Sequence, residues 1–407
     1  MLDASAVSTG KIYYDDAYCA EFEATVVSFE GNALVLDRTA FFPEEGGQSC
    51  DLGEIDGIRV KDVQIRDGQI VHFLEDRENA MEADLAETAG HSFTPGQTVR
   101  GKIDWARRYD LMQQHSGEHL LSGYVHRTYG FENVGFHLTP EEVTLDFDRP
   151  VPTEDLPAVE EAVNRLIRSN IASKTVFLSP KGQQASEENP EITDYRSKID
   201  LEGEVRVVVY PGADACACCA PHVRLTGEIG SLKIVSMINW KGGVRLTIAC
   251  GARATALFTR EHDLLTGTSR FLTTSPEEVL PQVMKMKDQL RAMSAKLKEQ
   301  ETALIFHELE EGGSGNEGRG IFGENEEMAG QCAVIFKEEA DMDAVLKAAD
   351  GFAKKFNRNA AVFTGTGEEK NFLIAGPAAQ DLLKKLKEHY PVKGGGRGEM
   401  VRGRVRM

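Results

Sequence analysis

The chain has 407 residues, of which 41% are hydrophobic and 27% are charged. This composition is typical of a soluble globular protein with two or three domains. It excludes a membrane-spanning helix, since no run approaches the roughly 18 uninterrupted apolar residues that one needs. The N-terminal segment has no apolar signal core, so we predict a cytoplasmic protein that contacts no membrane. A formal net charge of −19 argues against nucleic acid as a partner of the body as a whole.

Residues 1–92 are predicted to form short strands. Turn signals at Gly31-Asn32 and at Asp67-Gly68 each separate two β-rich runs, and this pattern indicates hairpins. Several short strands in succession favour an N-terminal small β-barrel or a half-open sheet.

Residues 93–265 mix predicted helices with predicted antiparallel strands. We expect helices at 107–129 and 154–168, a strand at 204–210, and a strand pair within 231–251. Together with the N-terminal strands, this pattern indicates an α+β fold.

Residues 275–310 are predicted to form a helical, coiled-coil-like connector. Apolar side chains recur every seven residues along it, at Val283, Leu290, Leu297 and Leu304. Such a seam can pack against the chain's own body or against a second copy in a homodimer, and the sequence leaves both open.

Residues 311–407 are predicted to form a small glycine-rich α/β domain, which begins with a flexible linker at 312–323. The linker contains two overlapping G-x-G-x-x-G matches, but a helix precedes it and none directly follows, so we do not interpret it as a dinucleotide site. From Leu382 onward, eight lysines and arginines face only two glutamates. This end of the chain is therefore either a solvated tail or a segment that binds a polyanion.

Residues 115–119 read HSGEH, an H-x-x-E-H motif. His115 and His119 are four apart, so on a helix they share one face and can bind one metal ion. The motif is also that of inverzincin peptidases, in which Glu118 would be the general base.

The segment ADACACCAPHVRLTG supplies a second pair, Cys218 and His222, also four apart. One thiolate and three imidazoles form a tetrahedral ligand set that suits Zn²⁺. Cys216 and Cys219 lie nearby, and spacing alone does not decide which sulfur binds. A peptidase would leave this C-x₃-H pair unexplained. The odd total of seven cysteines suits a reduced protein better than a disulfide framework.

Three stretches of the sequence resemble the free-standing alanyl-tRNA editing proteins of the AlaX type, in their long form. The stretches are RTAFFPEEGGQSCDLGEI, HSGEHLLSG with the following GFHLTPEEVTLDFD, and CCAPHVRLTGEIGSLKI. These proteins are similar to the editing region of alanyl-tRNA synthetase, and GGGRGEMVRG is similar to the glycine-rich C-terminal domain of that enzyme. The resemblance implies a zinc-binding editing domain at 93–265 and, at 311–407, a domain for tRNA binding or dimerisation.

The resemblance also assigns roles to individual residues. The implied zinc ligands are His115, His119, Cys218 and His222. Thr39 matches a threonine that recognises the side chain of a mischarged amino acid, and Gln48 matches the pocket glutamine of the GGQ element. The implied tRNA-binding residues are Lys393, Arg397, Arg402 and Arg404. The family usually has C-G-G-T-H where this chain has C-C-A-P-H, so the loop is expected to be stiffer here.

The resemblance implies a trans-acting, ATP-independent deacylase that protects translation fidelity by hydrolysing Ser-tRNA(Ala) or Gly-tRNA(Ala), and we expect no separate aminoacylation domain. Zinc would polarise the carbonyl, activate water or anchor the substrate. Glu118 is expected to face solvent or to support a ligand from behind. The alternatives are an inverzincin-like zinc peptidase and a catalytically silent tRNA-binding protein.

Overall fold

The computed structural model describes residues 8–75, 93–178, 192, 195–197, 205–312, 320–322 and 332–407. Helices and mostly antiparallel strands are mixed in this part of the chain, which confirms the α+β class. The chain divides into a first unit, Met1–Leu264, and a second unit, Leu265–Met407. The finer domain boundaries expected from the sequence stay predictions. Among the described residues, no helix is both long and apolar enough to cross a membrane.

Six antiparallel strands near the N-terminus close into a barrel, in the order β2-β3-β7-β6-β5-β8. The strands are β2 (Glu21–Glu30), β3 (Ala33–Leu36), β5 (Gly53–Ile55), β6 (Ile58–Arg66), β7 (Gln69–Leu74) and β8 (Thr98–Ile103). The short helix α1 (Ile12–Asp15) follows β1 (Gly10–Lys11), which pairs in parallel with β4 (Arg38–Thr39). The barrel interior is apolar, with Leu34, Ile55 and Val63 fully buried.

The turn between β6 and β7 shows why these runs form hairpins. Asp67 and Gly68 both have positive φ, 50° and 78°. Two consecutive positive φ angles give a type I′ turn, whose twist matches that of the paired strands. The predicted Asp67-Gly68 hairpin is therefore present, with Arg66 opposite Gln69.

The rest of the first unit places a long buried helix among two sheets. One sheet has the order β14-β15-β10-β9 and the other β11-β12-β13. Their strands are β9 (Asn133–Leu138), β10 (Val143–Phe147), β11 (Lys174–Leu178), β12 (Val205–Tyr210), β13 (Asp214–Ala217), β14 (Leu232–Trp240) and β15 (Gly243–Cys250). The helices are α2 (Trp105–Tyr129), α3 (Leu156–Arg168) and α4 (Gly251–Leu272), the last of which continues into the second unit.

The second unit contains a five-stranded sheet of order β16-β17-β18-β20-β19. Its strands are β16 (Cys332–Lys337), β17 (Asn359–Thr364), β18 (Glu369–Ala375), β19 (Val392–Arg397) and β20 (Met400–Arg406). Its helices are α5 (Val279–Glu310), α6 (Met342–Phe356) and α7 (Ala379–His389). Ile305 and Leu309 of α5 join α6 in one core, and α7 packs against the sheet in another.

The apolar seam of α5 is exposed, with Leu290 at 69% and Leu297 at 64%, so no described residue of the second unit covers it. A homodimer through this seam stays a prediction.

The basic end of the chain is not a free tail, because β19 and β20 form a hairpin within the sheet. Most of the linker at 312–323 lies outside the described residues, but Ile321 and Phe322 are buried in a core.

Candidate metal centre

The helix α2 carries two of the four predicted ligands. Asp104 caps its start by accepting a hydrogen bond from the backbone N–H of Arg107 (3.1 Å), and Gly130 ends it in the left-handed conformation. His115 and His119 share one face of this helix, with ring centroids 5.3 Å apart. Both are buried, because α2 runs through the core of the first unit.

The loop after β13 brings in the other two predicted ligands. Sγ of Cys218 lies 3.3 Å from Nε2 of His222 and 3.6 Å from Nε2 of His115. The four potential ligand atoms of His115, His119, Cys218 and His222 all lie within 4.8 Å of one another. The H-x₃-H and C-x₃-H motifs, distant in sequence, therefore converge at one point.

Each imidazole of this group has a polar neighbour at Nδ1. Nδ1 of His115 donates to Oε1 of Gln48 at 2.6 Å. Nδ1 of His222 lies 3.0 Å from Oγ of Ser116, and Nδ1 of His119 lies 3.2 Å from Oδ2 of Asp214. A proton on Nδ1 leaves the Nε2 lone pair free, and second partners of this kind fix the orientation of metal-bound histidines.

Asp214 was not predicted from the sequence as part of this site. Arg196 holds its carboxylate from the other side with two hydrogen bonds of 2.8 and 2.9 Å. Burial alone would raise the pKa of Asp214, but Arg196 and His119 outweigh it and lower the pKa to about 2. Asp214 reaches the helix because α2 has Gly123 there, where a Cβ atom would come within 2.6 Å of Oδ1 of Asp214.

The chemistry of this donor set fits a zinc ion. Burial and the neighbouring His119 lower the pKa of His222 to about 3, so its imidazole is neutral and its lone pair available. Burial would raise the pKa of Cys218, but His115 and His222 lower it well below its usual range, which favours the thiolate. Imidazole nitrogen and thiolate sulfur are ligand types that Zn²⁺ prefers, and four such ligands suit its tetrahedral coordination.

The positions of the neighbouring cysteines bear on which sulfur belongs to the group. Cys216 lies with His119 and Asp214, in a second cluster that lacks the other two histidines. Burial and the neighbouring Cys218 raise the pKa of Cys219, which keeps it a neutral thiol. Only Cys218, among the described cysteines, clusters with all three histidines. This geometry favours Cys218 as the sulfur ligand.

Comparison with known proteins shows that the chain is similar to tRNA synthetases and to a tRNA editing protein. Residues 8–107 match the family described as tRNA synthetases class II (A), and residues 205–246 match the threonyl and alanyl tRNA synthetase second additional domain. The chain is 26% identical to the alanyl-tRNA editing protein Aarsd1 of Mus musculus, over 96% of this chain and 92% of that protein. The resemblance to alanyl-tRNA editing proteins is confirmed.

Alanine–tRNA ligases are also similar to the chain. It is 32% identical to the ligase of Ignicoccus hospitalis over 74% of its own length, and 29% identical to that of Pyrococcus abyssi over 98%. The chain spans only 32% and 42% of these two ligases. The similarity to ligases thus concerns a part of each ligase, whereas the similarity to the editing protein is nearly end to end.

The two pocket residues expected from the editing-protein resemblance are both fully buried. Gln48 contacts the histidine group directly through His115, while its Nε2 is buried and has no partner among the described residues. Thr39 lies at the end of β4 and contacts the barrel strand β7 instead. Its hydroxyl is 2.8 Å from Nε2 of His72 and accepts from the backbone N–H of Phe41. The described contacts therefore join Gln48, but not Thr39, to the candidate ligands.

Glu118 was expected either to face solvent or to support a ligand. It is buried, at 3% exposure, so it does not face solvent. Its Oε1 accepts hydrogen bonds from Ser122 (2.7 Å) and Asn133 (2.6 Å). Its other oxygen lies 3.9 Å from Nε2 of His119. The position behind the histidine group agrees with the supporting role that the sequence also allowed.

The four residues expected to bind tRNA lie together, in the second unit. Lys393 is paired with Arg404 across β19 and β20, so the odd positions of β19 share a face with the even positions of β20. This face carries Lys393, Arg397, Arg402 and Arg404, all exposed, and we call it the basic hairpin face. None of the four forms an ion pair within the described part of the chain. The opposite face buries Val401 and Val405 in the core.

Proposed function

We propose that the chain is a zinc-containing aminoacyl-tRNA deacylase that acts in trans on Ser-tRNA(Ala), with Gly-tRNA(Ala) as a second substrate. The observation that carries this proposal is the convergence of His115, His119, Cys218 and His222 within 4.8 Å, in a chain that matches an alanyl-tRNA editing protein almost end to end. In the proposed reaction, water adds to the ester carbonyl and the ribose oxygen leaves with a proton. The products are free serine or glycine and uncharged tRNA.

The four residues would hold the zinc ion, and a bound zinc ion would supply Lewis-acid chemistry at the ester. Gln48, Ser116 and Asp214 would hold the three imidazoles in place through Nδ1. Fixed orientation matters because a misplaced group loses much of its catalytic effect.

Gln48 is proposed to have a second task. Its Oε1 is occupied by His115, but its Nε2 is a buried donor without a partner among the described residues. Leaving such a donor unpaired is costly, so a partner supplied by the substrate would be favourable. We propose that Nε2 donates to an oxygen of the aminoacyl ester, where negative charge develops as water adds.

Thr39 is proposed to recognise the serine side chain. Nδ1 of His72 donates to the carbonyl of Leu34 (3.1 Å), so Nε2 is the acceptor and the Thr39 hydroxyl donates to it. One lone pair of that hydroxyl accepts from Phe41, which leaves the other for a serine hydroxyl. Alanine lacks the hydroxyl that would use it, and this difference would favour the mischarged substrate.

The basic hairpin face is proposed to contact the tRNA body. Four cations without an ion pair among the described residues form a local positive surface on a chain of net charge −19. Such a surface suits phosphate contacts, which dominate affinity for nucleic acid.

The cytoplasmic location stays a prediction.

A deacylation assay tests the proposed function. Zinc-loaded protein is incubated with Ser-tRNA(Ala), Gly-tRNA(Ala) and Ala-tRNA(Ala), and the remaining charged tRNA is measured over time. We expect hydrolysis of Ser-tRNA(Ala) and slower hydrolysis of Gly-tRNA(Ala). Ala-tRNA(Ala) should not be hydrolysed. Absence of hydrolysis of both mischarged tRNAs would overturn the proposal. Binding of tRNA without hydrolysis would favour the silent tRNA-binding alternative, and cleavage of a peptide substrate would favour the peptidase.

A further inference from the structure

A cavity of about 250 Å³ adjoins the candidate metal centre, with His222 in its wall. Its other walls come from the α1 segment, through Tyr13 and Tyr18, and from Arg206 and Arg224. The volume is below the roughly 300–1,000 Å³ typical of pockets that enclose a whole ligand. The cavity therefore suits one part of a larger ligand, next to the place where the proposed chemistry occurs.

Two buried donors of the cavity have no partner among the described residues. One is the hydroxyl of Tyr13, a residue only 1% exposed. Burial raises the pKa of Tyr13 above its ordinary value, so this phenol stays neutral and can donate. The other is Nε of Arg206, whose Nη1 already donates to the carbonyls of Cys218 (2.6 Å) and Ala220 (3.1 Å). Unpaired buried donors point to a missing acceptor.

Arginine and tyrosine side chains are stacked in this cavity. The guanidinium of Arg206 lies 4.8 Å from the ring centroid of Tyr14, and that of Arg224 lies 4.0 Å from the ring centroid of Tyr18. Aromatic and guanidinium faces of this kind bind the splayed ends of single-stranded RNA. Arg224 forms an ion pair with Asp16 (3.0 Å), whereas Arg206 forms no ion pair with the described residues.

We propose that this cavity binds the terminal nucleotide of the RNA substrate through its 5′-phosphate, which accepts hydrogen bonds from Tyr13 and Arg206. The proposal rests on the proposed function, because it concerns the same substrate. A phosphate offers several acceptor oxygens for the two free donors, and its negative charge matches the guanidinium of Arg206. Its neighbouring ribose ester would then lie on the side of His222, toward the candidate metal centre.

The test measures the binding of adenosine 5′-monophosphate and of adenosine to the full chain by calorimetry. Tyr13→Phe removes only the hydroxyl, which makes no hydrogen bond to the described residues, so the variant should keep its melting temperature. We expect it to raise the Kd for the monophosphate about 10- to 100-fold, the loss typical of a hydrogen bond to a charged group. Adenosine should bind weakly and equally to both proteins. Tyr129→Phe is the matched control, because that hydroxyl bonds to Asp155 outside the cavity.

Three results would each overturn the cavity proposal: no monophosphate binding, equal affinity for adenosine and its monophosphate, or an unchanged Kd in Tyr13→Phe. The same variant also distinguishes failure of the cavity proposal from failure of the deacylase proposal. If Tyr13→Phe hydrolyses Ser-tRNA(Ala) with an unchanged KM, the cavity proposal fails while the deacylase proposal stands. If the monophosphate binds through Tyr13 but the wild type hydrolyses no mischarged tRNA, the cavity stands and the deacylase proposal fails. Success of both predicts a raised KM with little change in kcat.

Discussion

Oδ2 of Asp214 lies 3.2 Å from Nδ1 of His119, and the same carboxylate is held by the buried Arg196. The variant Asp214→Asn should therefore weaken two things. Zinc affinity should fall about 10- to 100-fold, as is usual when the partner behind a metal-bound histidine is lost. The free energy of unfolding should fall by about 3–5 kcal/mol, because Arg196 is left as a buried charge without its partner. Chelator competition and chemical denaturation measure the two effects.

Asp146→Asn is the matched control for Asp214→Asn. Asp146 forms an equally short pair with Arg245 (2.6 and 2.7 Å) between β10 and β15, but the arginine is partly exposed. We expect a smaller loss of stability, about 1 kcal/mol or less, and unchanged zinc affinity. Equal zinc affinity in Asp214→Asn and the wild type would show that the carboxylate does not support the histidine.

Three alanine substitutions identify the cysteine that binds zinc. Cys218→Ala should lose bound zinc after dialysis, because its Sγ is the one that clusters with all three histidines. Cys219→Ala should retain zinc, and Cys216→Ala should retain it as well. Metal content per chain, measured by atomic emission, checks each. Retention by Cys218→Ala together with loss by Cys216→Ala would transfer the ligand role to Cys216.

Much of the site could be predicted because its motifs are local. His115 and His119 share a helix face by spacing alone, and Cys218 and His222 repeat that spacing in a loop. Their donor types suggested one shared zinc site, and the family resemblance singled out Cys218 among the nearby sulfurs. The roles of Asp214 and Ser116 could not be predicted, because each depends on how β13 and the loop pack against α2, and no local pattern marks such contacts.

The fold shows the same division between local and long-range signals. The β6–β7 hairpin could be predicted because Asp67-Gly68 provides its turn. The hairpin of β19 and β20 was missed, because Gly394, Gly395 and Gly396 have low strand propensity. These glycines allow close pairing instead: a Cβ on Gly394 would come within 2.6 Å of the Cα of Gly403. The exposure of the α5 seam could not be predicted either. Its seven-residue repeat indicates a packing partner but does not identify that partner.

Glu118→Gln tests whether Glu118 is a general base, which is the role that it would have in the peptidase alternative. The glutamine can still accept from Ser122 and Asn133, so the deacylase should keep most of its activity. Removal of a general base would instead reduce turnover by about 100-fold or more. The rate of Ser-tRNA(Ala) hydrolysis measures this directly. A loss of that size with normal zinc content would restore Glu118 as a catalytic base.

The basic hairpin face predicts a salt-dependent contribution to tRNA binding. The double variant Arg402→Ala/Arg404→Ala should weaken tRNA affinity and reduce the slope of log K against log salt by about 1 for each lost phosphate contact. Hydrolysis at saturating substrate should be unchanged. The matched control is Lys354→Ala/Lys384→Ala, which removes two exposed cations that are already paired with Asp350 and Asp381. An equal change of slope in both double variants would mean that total charge, rather than this face, governs binding.

His72 predicts a loss of stability in acid. Burial lowers the pKa of His72 to about 4, below its ordinary value of 6.5. His72 binds a proton less readily in the folded state than in the unfolded state. Its contribution to the free energy of unfolding is therefore complete above pH 6.5 and decreases as the pH falls toward 4. At pH 5 this loss amounts to about 2 kcal/mol relative to neutral pH. The variant His72→Gln removes the titrating group, so urea denaturation at pH 7 and pH 5 should show a smaller difference for the variant than for the wild type. The same pH dependence in both proteins would mean that other groups, such as the candidate ligands, account for it.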